Sequence, residues 1–144
     1  MNPHVDVGQA AAAQAGPRPQ IERAAAGLLY TSESDFPFDY LTLPAAVGQV
    51  VTPAEFAALV GHPGQQVAEI TLDEFFARHI ERVHPADQAS VDLVPRYRAL
   101  KEALRAALGS IRVFRIAGGS QIDCYVVGTV PGGLAGLHTV SIET

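Results

Sequence analysis

The amino-acid sequence predicts an α+β fold in which an antiparallel sheet follows a mostly helical first part of the chain. Apolar residues recur at helical spacing as far as residue 108, and from Gly109 onward they alternate with a period of two. Two glycine-centred turns, Gly118-Gly119 and Pro131-Gly-Gly133, divide this second part into three strands. Helices and strands that are segregated along the chain favour an antiparallel meander over a parallel sheet.

The beginning of the chain changes composition near residue 18. Residues 1–18 are rich in Ala, Gly, Gln and Pro, which predicts a disordered leader before a domain over residues 19–144. A helix is predicted to begin near Pro19, because proline suits the first turn. Its apolar face comprises Ile21, Ala24, Ala25, Leu28 and Leu29. The acidic segment TSESDFPFD, residues 31–39, is predicted to end this helix as a compact loop, because Pro37 disfavours helical backbone at the preceding residue.

Two capping boxes predict the helices in the middle of the chain. Thr52-Pro-Ala-Glu55 and Thr71-Leu-Asp-Glu74 each place a threonine side chain where it accepts from the backbone three residues later. The first of these helices is predicted to end at Gly61. A short strand, Gln66–Ile70, is predicted between the two helices.

The most regular helical pattern runs from Leu93 to Leu108, and Gly109 supplies its end. Its apolar stripe comprises Leu93, Tyr97, Leu100, Leu104 and Leu108. Pro95 fits only in the first turn of such a helix, which places the start near Leu93. Period-two patterns then predict three strands, paired as an antiparallel sheet under this helix: Ile111–Ile116, Ile122–Val130 and Leu134–Ile142.

The composition is that of one folded domain. The chain has 144 residues, of which 48% are hydrophobic and 17% charged, enough apolar surface for a core. No run approaches eighteen apolar residues and the N-terminus resembles no secretory signal, so a cytoplasmic protein without a membrane segment is expected. The single cysteine, Cys124, excludes an internal disulfide, and its apolar neighbours favour a buried structural thiol.

Charge is distributed unevenly along the chain. Residues 31–92 carry ten acidic side chains and two arginines, a formal charge of −8, against −5 for the whole chain. Such a segment repels nucleic acid and attracts basic partners, although a solvated surface of uneven sign is the alternative. Six basic residues lack any nucleic-acid-binding motif and are interpreted as the solvated side of a helix and a strand: Arg96, Arg98, Lys101, Arg105, Arg112 and Arg115. Direct binding of nucleic acid is therefore not expected.

No catalytic constellation emerges from the sequence. Five histidines are scattered, and His79 and His84 lie about 140° apart around a helix, so no metal site of the protein's own is expected. No glycine-rich phosphate loop joins a strand to a helix, and no serine lies in a nucleophile motif. The sequence predicts neither an enzyme nor a bound cofactor.

Two segments of the sequence are not accounted for by the predicted hydrophobic core. The first is the acidic segment 31–39, whose alternative interpretation is an exposed turn held to the core by Phe36 and Phe38. The second is the end of the chain, Ser141-Ile-Glu-Thr144, where an apolar strand runs almost to the last residue. A terminus held in this way places two negative charges where they are able to coordinate a cation on a partner.

At these two features the sequence resembles the nuclease A inhibitor family, small proteins that bind and block sugar-non-specific DNA/RNA endonucleases of the ββα-metal type. The resemblance runs from about Ile21 to Thr144. Three ordered segments carry it: GLLYTSESDFPF at 27–38, Ile70–Arg78, and Val113–Thr144 with IDCYVVG at 122–128 and the final Glu-Thr. Three segments, including the chain end, are more specific than any single short motif.

The resemblance implies a three-layer α-β-α sandwich around a mainly antiparallel sheet, and we expect a monomer in the free state. In the family's mode of inhibition, the C-terminal carboxylate, here that of Thr144, reaches the catalytic Mg²⁺ of the nuclease. The family's interface glutamate falls on Glu33, and its Asp-Trp pair maps by approximate alignment onto Asp87-Gln88. The implied partner-binding residues are Ser32, Glu33, Ser34, Asp35, Asp87, Gln88, Glu143 and Thr144. The alternative is an intracellular protein-binding module of the same fold with a different partner.

Overall fold

The computed structural model describes residues 16–44 and 52–144. Within these ranges the helices are α1 (Arg18–Ala25), α2 (Pro53–Leu59), α3 (Leu72–Ile80) and α4 (Gln88–Ala107). The strands are β1 (Leu29–Thr31), β2 (Asp35–Pro37), β3 (Asp39–Leu43), β4 (Val67–Ile70), β5 (Gly109–Gly118), β6 (Gln121–Val130) and β7 (Gly133–Ile142). The predicted leader falls largely on residues 1–15, outside the described residues. No helix in the described ranges is long and apolar enough to cross a membrane.

The predicted α+β class and antiparallel sheet are confirmed. Five strands form one sheet in the order β3-β7-β6-β5-β4, and every neighbouring pair is antiparallel. Its centre is the predicted meander, in which β5, β6 and β7 each have ten residues. The predicted short strand is also present as β4, at the edge beside β5.

The predicted loop over residues 31–39 is wrong. β1 and β2 form a separate two-stranded hairpin that pairs Tyr30 with Phe36, and β3 follows directly and pairs with β7. Helices and strands are therefore less segregated along the chain than the sequence pattern indicates. Both hairpin strands have only three residues, too short for a period-two pattern to be distinguished from a loop.

Alternation along the central strands places a hydrophobic cluster on each face of the sheet, because neighbouring residues such as Val113 and Phe114 point in opposite directions. On one face, residues of α1, α3 and α4 pack against five side chains of the central strands: Val113, Cys124, Val126, Ala135 and Leu137. On the other face, Phe56 of α2 stacks on Phe114 with ring centroids 4.4 Å apart. The predicted burial of Cys124 is confirmed, and burial raises the pKa of its thiol to about 11.

The predicted start of the longest helix is wrong. α4 begins at Gln88 rather than near Leu93, so Pro95 lies inside the helix and not in its first turn. Asp87 caps the earlier start by accepting a hydrogen bond from the backbone N–H of Ser90 at 3.1 Å. Leu93 is 39% exposed, so the buried stripe of this helix begins only at Tyr97. The stabilisation that the Asp87 cap gives to the helix exceeds the cost of the one backbone hydrogen bond that Pro95 is unable to donate.

Two further expectations need correction. α1 ends at Ala25, and Gly27 has a φ of 76°, so Leu29 lies exposed in β1 and not on the helix face. Several of the basic residues interpreted as solvated are paired with acids instead. These pairs are Lys101 and Arg105 with Asp73, Arg112 with Glu69, and Arg115 with Glu143.

Candidate functional site

The hairpin of β1 and β2 presents the Ser-Glu-Ser sequence as a tight turn. Both the backbone N–H and the hydroxyl of Ser32 donate to the carbonyl oxygen of Ser34, each at 3.0 Å. These bonds satisfy the turn internally and leave the Glu33 side chain exposed. Asp35 follows at the start of β2, exposed and paired in register with Thr31.

The end of the chain lies against this turn. β7 ends at Ile142, whose backbone N–H donates to the hydroxyl of Ser32 at 2.9 Å. The backbone N–H of Glu33 in turn donates to the Ile142 carbonyl at 3.4 Å. Two segments 110 residues apart in sequence are therefore joined at one end of the molecule.

Glu33 then binds the terminal residue itself. Its carboxylate accepts from the backbone N–H of Thr144 at 2.6 Å and from the Thr144 hydroxyl at 2.5 Å. These two bonds, that from the hydroxyl first, hold the pKa of the Glu33 carboxyl below its ordinary value. We call the contacts of Ser32 and Glu33 with Ile142 and Thr144 the terminal clamp.

The lowered pKa of Glu33 predicts a pH dependence of the terminal clamp. Because the pKa of this carboxyl is lower in the folded chain, the clamp is complete at neutral pH and is lost as pH falls through that lowered value. The side-chain carboxyl carbon of Glu33, followed by NMR during an acid titration, should titrate with a midpoint below the ordinary glutamate value of 4.5. Glu33→Gln lacks this carboxyl and so identifies its resonance, and a midpoint at or above the ordinary glutamate value would contradict the prediction.

A buried histidine supports the turn from inside the fold. The backbone N–H of Thr31 donates to Nε2 of His79 at 3.0 Å, and the Thr31 hydroxyl lies 2.9 Å from the same nitrogen. The His79 ring packs between Tyr30 and Tyr97, and burial lowers its pKa to about 4. Nε2 is therefore an acceptor and the ring is neutral at pH 7. Sequence reasoning missed this role, since nothing in the spacing of His79 indicates contact with Thr31.

Asp87 and Gln88 are not brought into the terminal clamp. Asp87 caps α4, and hydrogen bonds from the side chain and the backbone of Ser90 lower the pKa of its carboxyl. The Gln88 amide donates to Asp92 one turn further along the same helix, at 2.6 Å. Asp87 does line a hollow of about 190 Å³ that Thr31 also lines, so the helix start and the Ser-Glu-Ser turn border the same depression.

The cap predicts that Asp87 contributes to stability, separately from any contact with a partner. Asp87→Ala removes the acceptor for the Ser90 N–H and should lower the Tm by about 3–6 °C. Asp87→Asn keeps a good capping side chain and removes the charge, so its Tm should match that of the unchanged protein. Thermal unfolding followed by circular dichroism measures both, and an unchanged Tm for Asp87→Ala would show that the cap contributes nothing.

In the described ranges, no group of three or more His, Cys, Asp and Glu side chains is arranged to hold a metal ion. At the terminal clamp, the carboxylates of Glu33 and Glu143 lie beside the end of the chain. Residues 18–144 match the family described as nuclease A inhibitor-like protein. The chain belongs to the nuclease A inhibitor-like family.

Family membership confirms part of what the sequence resemblance implies. A nuclease A inhibitor-like protein is non-enzymatic, as predicted, and its family indicates a nuclease as the binding partner. The chain matches none of the curated proteins at a significant level. For this nuclease A inhibitor-like chain, the inhibitory geometry must therefore be argued from its own residues.

Proposed function

We propose that this protein inhibits a sugar-non-specific nuclease of the ββα-metal type by placing the α-carboxylate of Thr144 on the catalytic Mg²⁺ of the enzyme. The terminal clamp is the observation that carries this proposal. Glu33 accepts from both the backbone N–H and the hydroxyl of Thr144, so the terminal residue is held by its two donors. The α-carboxylate of a residue fixed in this way is the group available to a hard cation.

Preorganisation gives the proposal its energetic basis. A free chain end samples many conformations, and ordering it on binding costs conformational entropy. In this protein the cost is met within the folded chain, because Ile142 and Thr144 are already bonded to Ser32 and Glu33. An inhibitor whose metal-binding terminus is already ordered in the free protein loses less conformational entropy when it binds.

Electrostatics supports a basic partner. The ten acidic side chains of residues 31–92 are all exposed. Glu69 and Asp73 are paired with bases of the same chain, and the others include Glu33, Asp35 and Asp87 near the Ser-Glu-Ser turn. A nuclease cleft that binds a polyanion attracts such a surface, which accelerates association at low salt.

The proposed interface comprises the eight residues that the resemblance implies, centred on Glu33 and Thr144. The proposal also includes the three-layer α-β-α arrangement, which the hydrophobic clusters on opposite faces of the sheet support. One helix of seven residues, α2, contributes to the second face. The larger layer, with α1, α3 and α4, borders the Ser-Glu-Ser turn.

Digestion of plasmid DNA by a ββα-metal nuclease tests the proposed function directly. Increasing amounts of the protein should abolish cleavage near an equimolar ratio, with weaker inhibition at high salt. A nuclease of a different mechanistic class, which uses no Mg²⁺, is the control and should remain active. Undiminished cleavage by several ββα-metal nucleases in the presence of excess folded protein would contradict the proposal.

A further inference from the structure

Glu143, the residue before the terminal threonine, is held by contacts separate from the terminal clamp. Its backbone N–H donates to the carbonyl oxygen of Ser120, in the turn between β5 and β6, at 2.8 Å. Its carboxylate accepts from the hydroxyl of Ser141 at 2.8 Å and forms an ion pair with the guanidinium of Arg115. The last residues are therefore bonded both to the hairpin of β1 and β2 and to the end of the central meander.

Arg115 is well placed to hold this carboxylate rigidly. It lies on β5 directly opposite Cys124 of β6, on the sheet face covered by α1, α3 and α4. Its side chain is 26% exposed and that of Glu143 39%, so the pair is partly withdrawn from solvent. A partly withdrawn ion pair with an additional hydroxyl donor is screened less by salt than a fully exposed one.

We propose that Arg115 is a positioning residue for the inhibitory terminus: by holding Glu143, it fixes where the α-carboxylate of Thr144 points. The inference rests on the proposed function and adds a residue to it. Once the N–H and carboxylate of Glu143 are held, the planar peptide bond leaves few backbone rotations before the terminal carboxylate. Glu33 then restrains the donors of Thr144 from the other segment, so the two sets of contacts act together.

Substitution of Arg115 should loosen the chain end without unfolding the protein. In Arg115→Gln the hydrogen exchange of the Thr144 amide, measured by NMR on the free protein, should be about fivefold faster. Inhibition of the nuclease should weaken by a similar factor of about five, mainly through faster dissociation. Arg115→Lys keeps the charge but not the planar guanidinium. Its exchange and inhibition should therefore lie between those of Arg115→Gln and those of the unchanged protein.

Arg112 offers a matched control on the same strand. It pairs with Glu69 and lies over the ring of Phe114, on the sheet face opposite to Arg115. Arg112→Gln also removes an ion pair from β5, and it should leave the exchange of Thr144 and the inhibition unchanged. Glu143→Gln removes the same ion pair from its other side, and it should reproduce the faster exchange of Thr144 seen in Arg115→Gln.

The outcomes separate this inference from the proposed function. If the unchanged protein inhibits the nuclease and Arg115→Gln matches it in exchange and inhibition, or if Glu143→Gln matches it in exchange, the positioning role is overturned. If the unchanged protein does not inhibit, the proposed function fails, and the exchange of Thr144 still decides whether Arg115 holds the chain end. Equal acceleration of exchange in Arg112→Gln would show a general loosening of the sheet and would also overturn the inference.

Discussion

Deletion of Thr144 is expected to weaken inhibition of a susceptible nuclease by at least about thirtyfold, or about 2 kcal/mol. The deletion moves the α-carboxylate back to Glu143, by about 3.3 Å along an extended chain, whereas an Mg²⁺–oxygen bond is about 2.1 Å long. The metal contact is therefore lost. The net charge is preserved, because a new α-carboxylate replaces the old one, so long-range attraction should survive and the loss should lie in the dissociation rate.

Tags provide the matched controls for this deletion. A few residues appended after Thr144 replace its carboxylate by a neutral amide and should cause a loss similar to that of the deletion. The same residues at the N-terminus should leave inhibition intact. Inhibition and dissociation rates are measured by digestion assays and surface plasmon resonance. Full inhibition by both the deleted and the C-terminally extended protein would rule out metal coordination by the chain end.

Glu33→Ala is expected to have the second large effect, a loss of about thirtyfold in affinity for the nuclease. The carboxylate of Glu33 is exposed and yet accepts both donors of Thr144. Its removal frees the terminal residue and also removes a negative charge from the proposed interface. The Tm should change little, because the Glu33 side chain is exposed.

A double-mutant cycle separates the two roles of Glu33. If it acts by holding Thr144, Glu33→Ala should have little further effect in protein that already lacks Thr144. If it contacts a cation of the nuclease directly, its effect should remain in that background. Glu33→Gln retains the shape of the side chain without its charge. It indicates whether holding Thr144 or contacting the nuclease requires the negative charge. An unchanged affinity in every one of these variants would remove Glu33 from the interface.

The sequence predicted the parts of the fold that depend on local patterns. The meander follows from alternation over ten-residue strands, and the cap at Thr52 is present with both of its hydrogen bonds to Glu55. It failed for β3 and for the start of α4, where the decisive interactions are pairing with β7 and a cap upstream of Pro95. Short strands, and capping residues that are not part of a complete capping box, have too weak a sequence pattern to be predicted from the sequence alone.

The candidate site was likewise only partly predictable from the sequence. Resemblance to a family led to Glu33 and Thr144, but their mutual contact joins positions 111 residues apart and has no periodic signature. The sequence pattern indicates a solvated Arg115, because a basic residue on a half-buried strand has the same local pattern whether or not an acidic side chain lies across from it. Contacts made between distant segments are visible only in the folded chain.

The position of β7 has a consequence for how the protein is made. Although it follows β3 and β6 in sequence, it lies between them in the sheet and pairs with both. Until these residues leave the ribosome, β3 lacks the strand it pairs with in the described part of the chain, and Ser32 lacks the hydrogen bond from Ile142. Biosynthesis therefore couples completion of the sheet to completion of the proposed inhibitory end. A prematurely terminated chain would lack both at once, so it should be degraded rather than persist as a folded but inactive competitor.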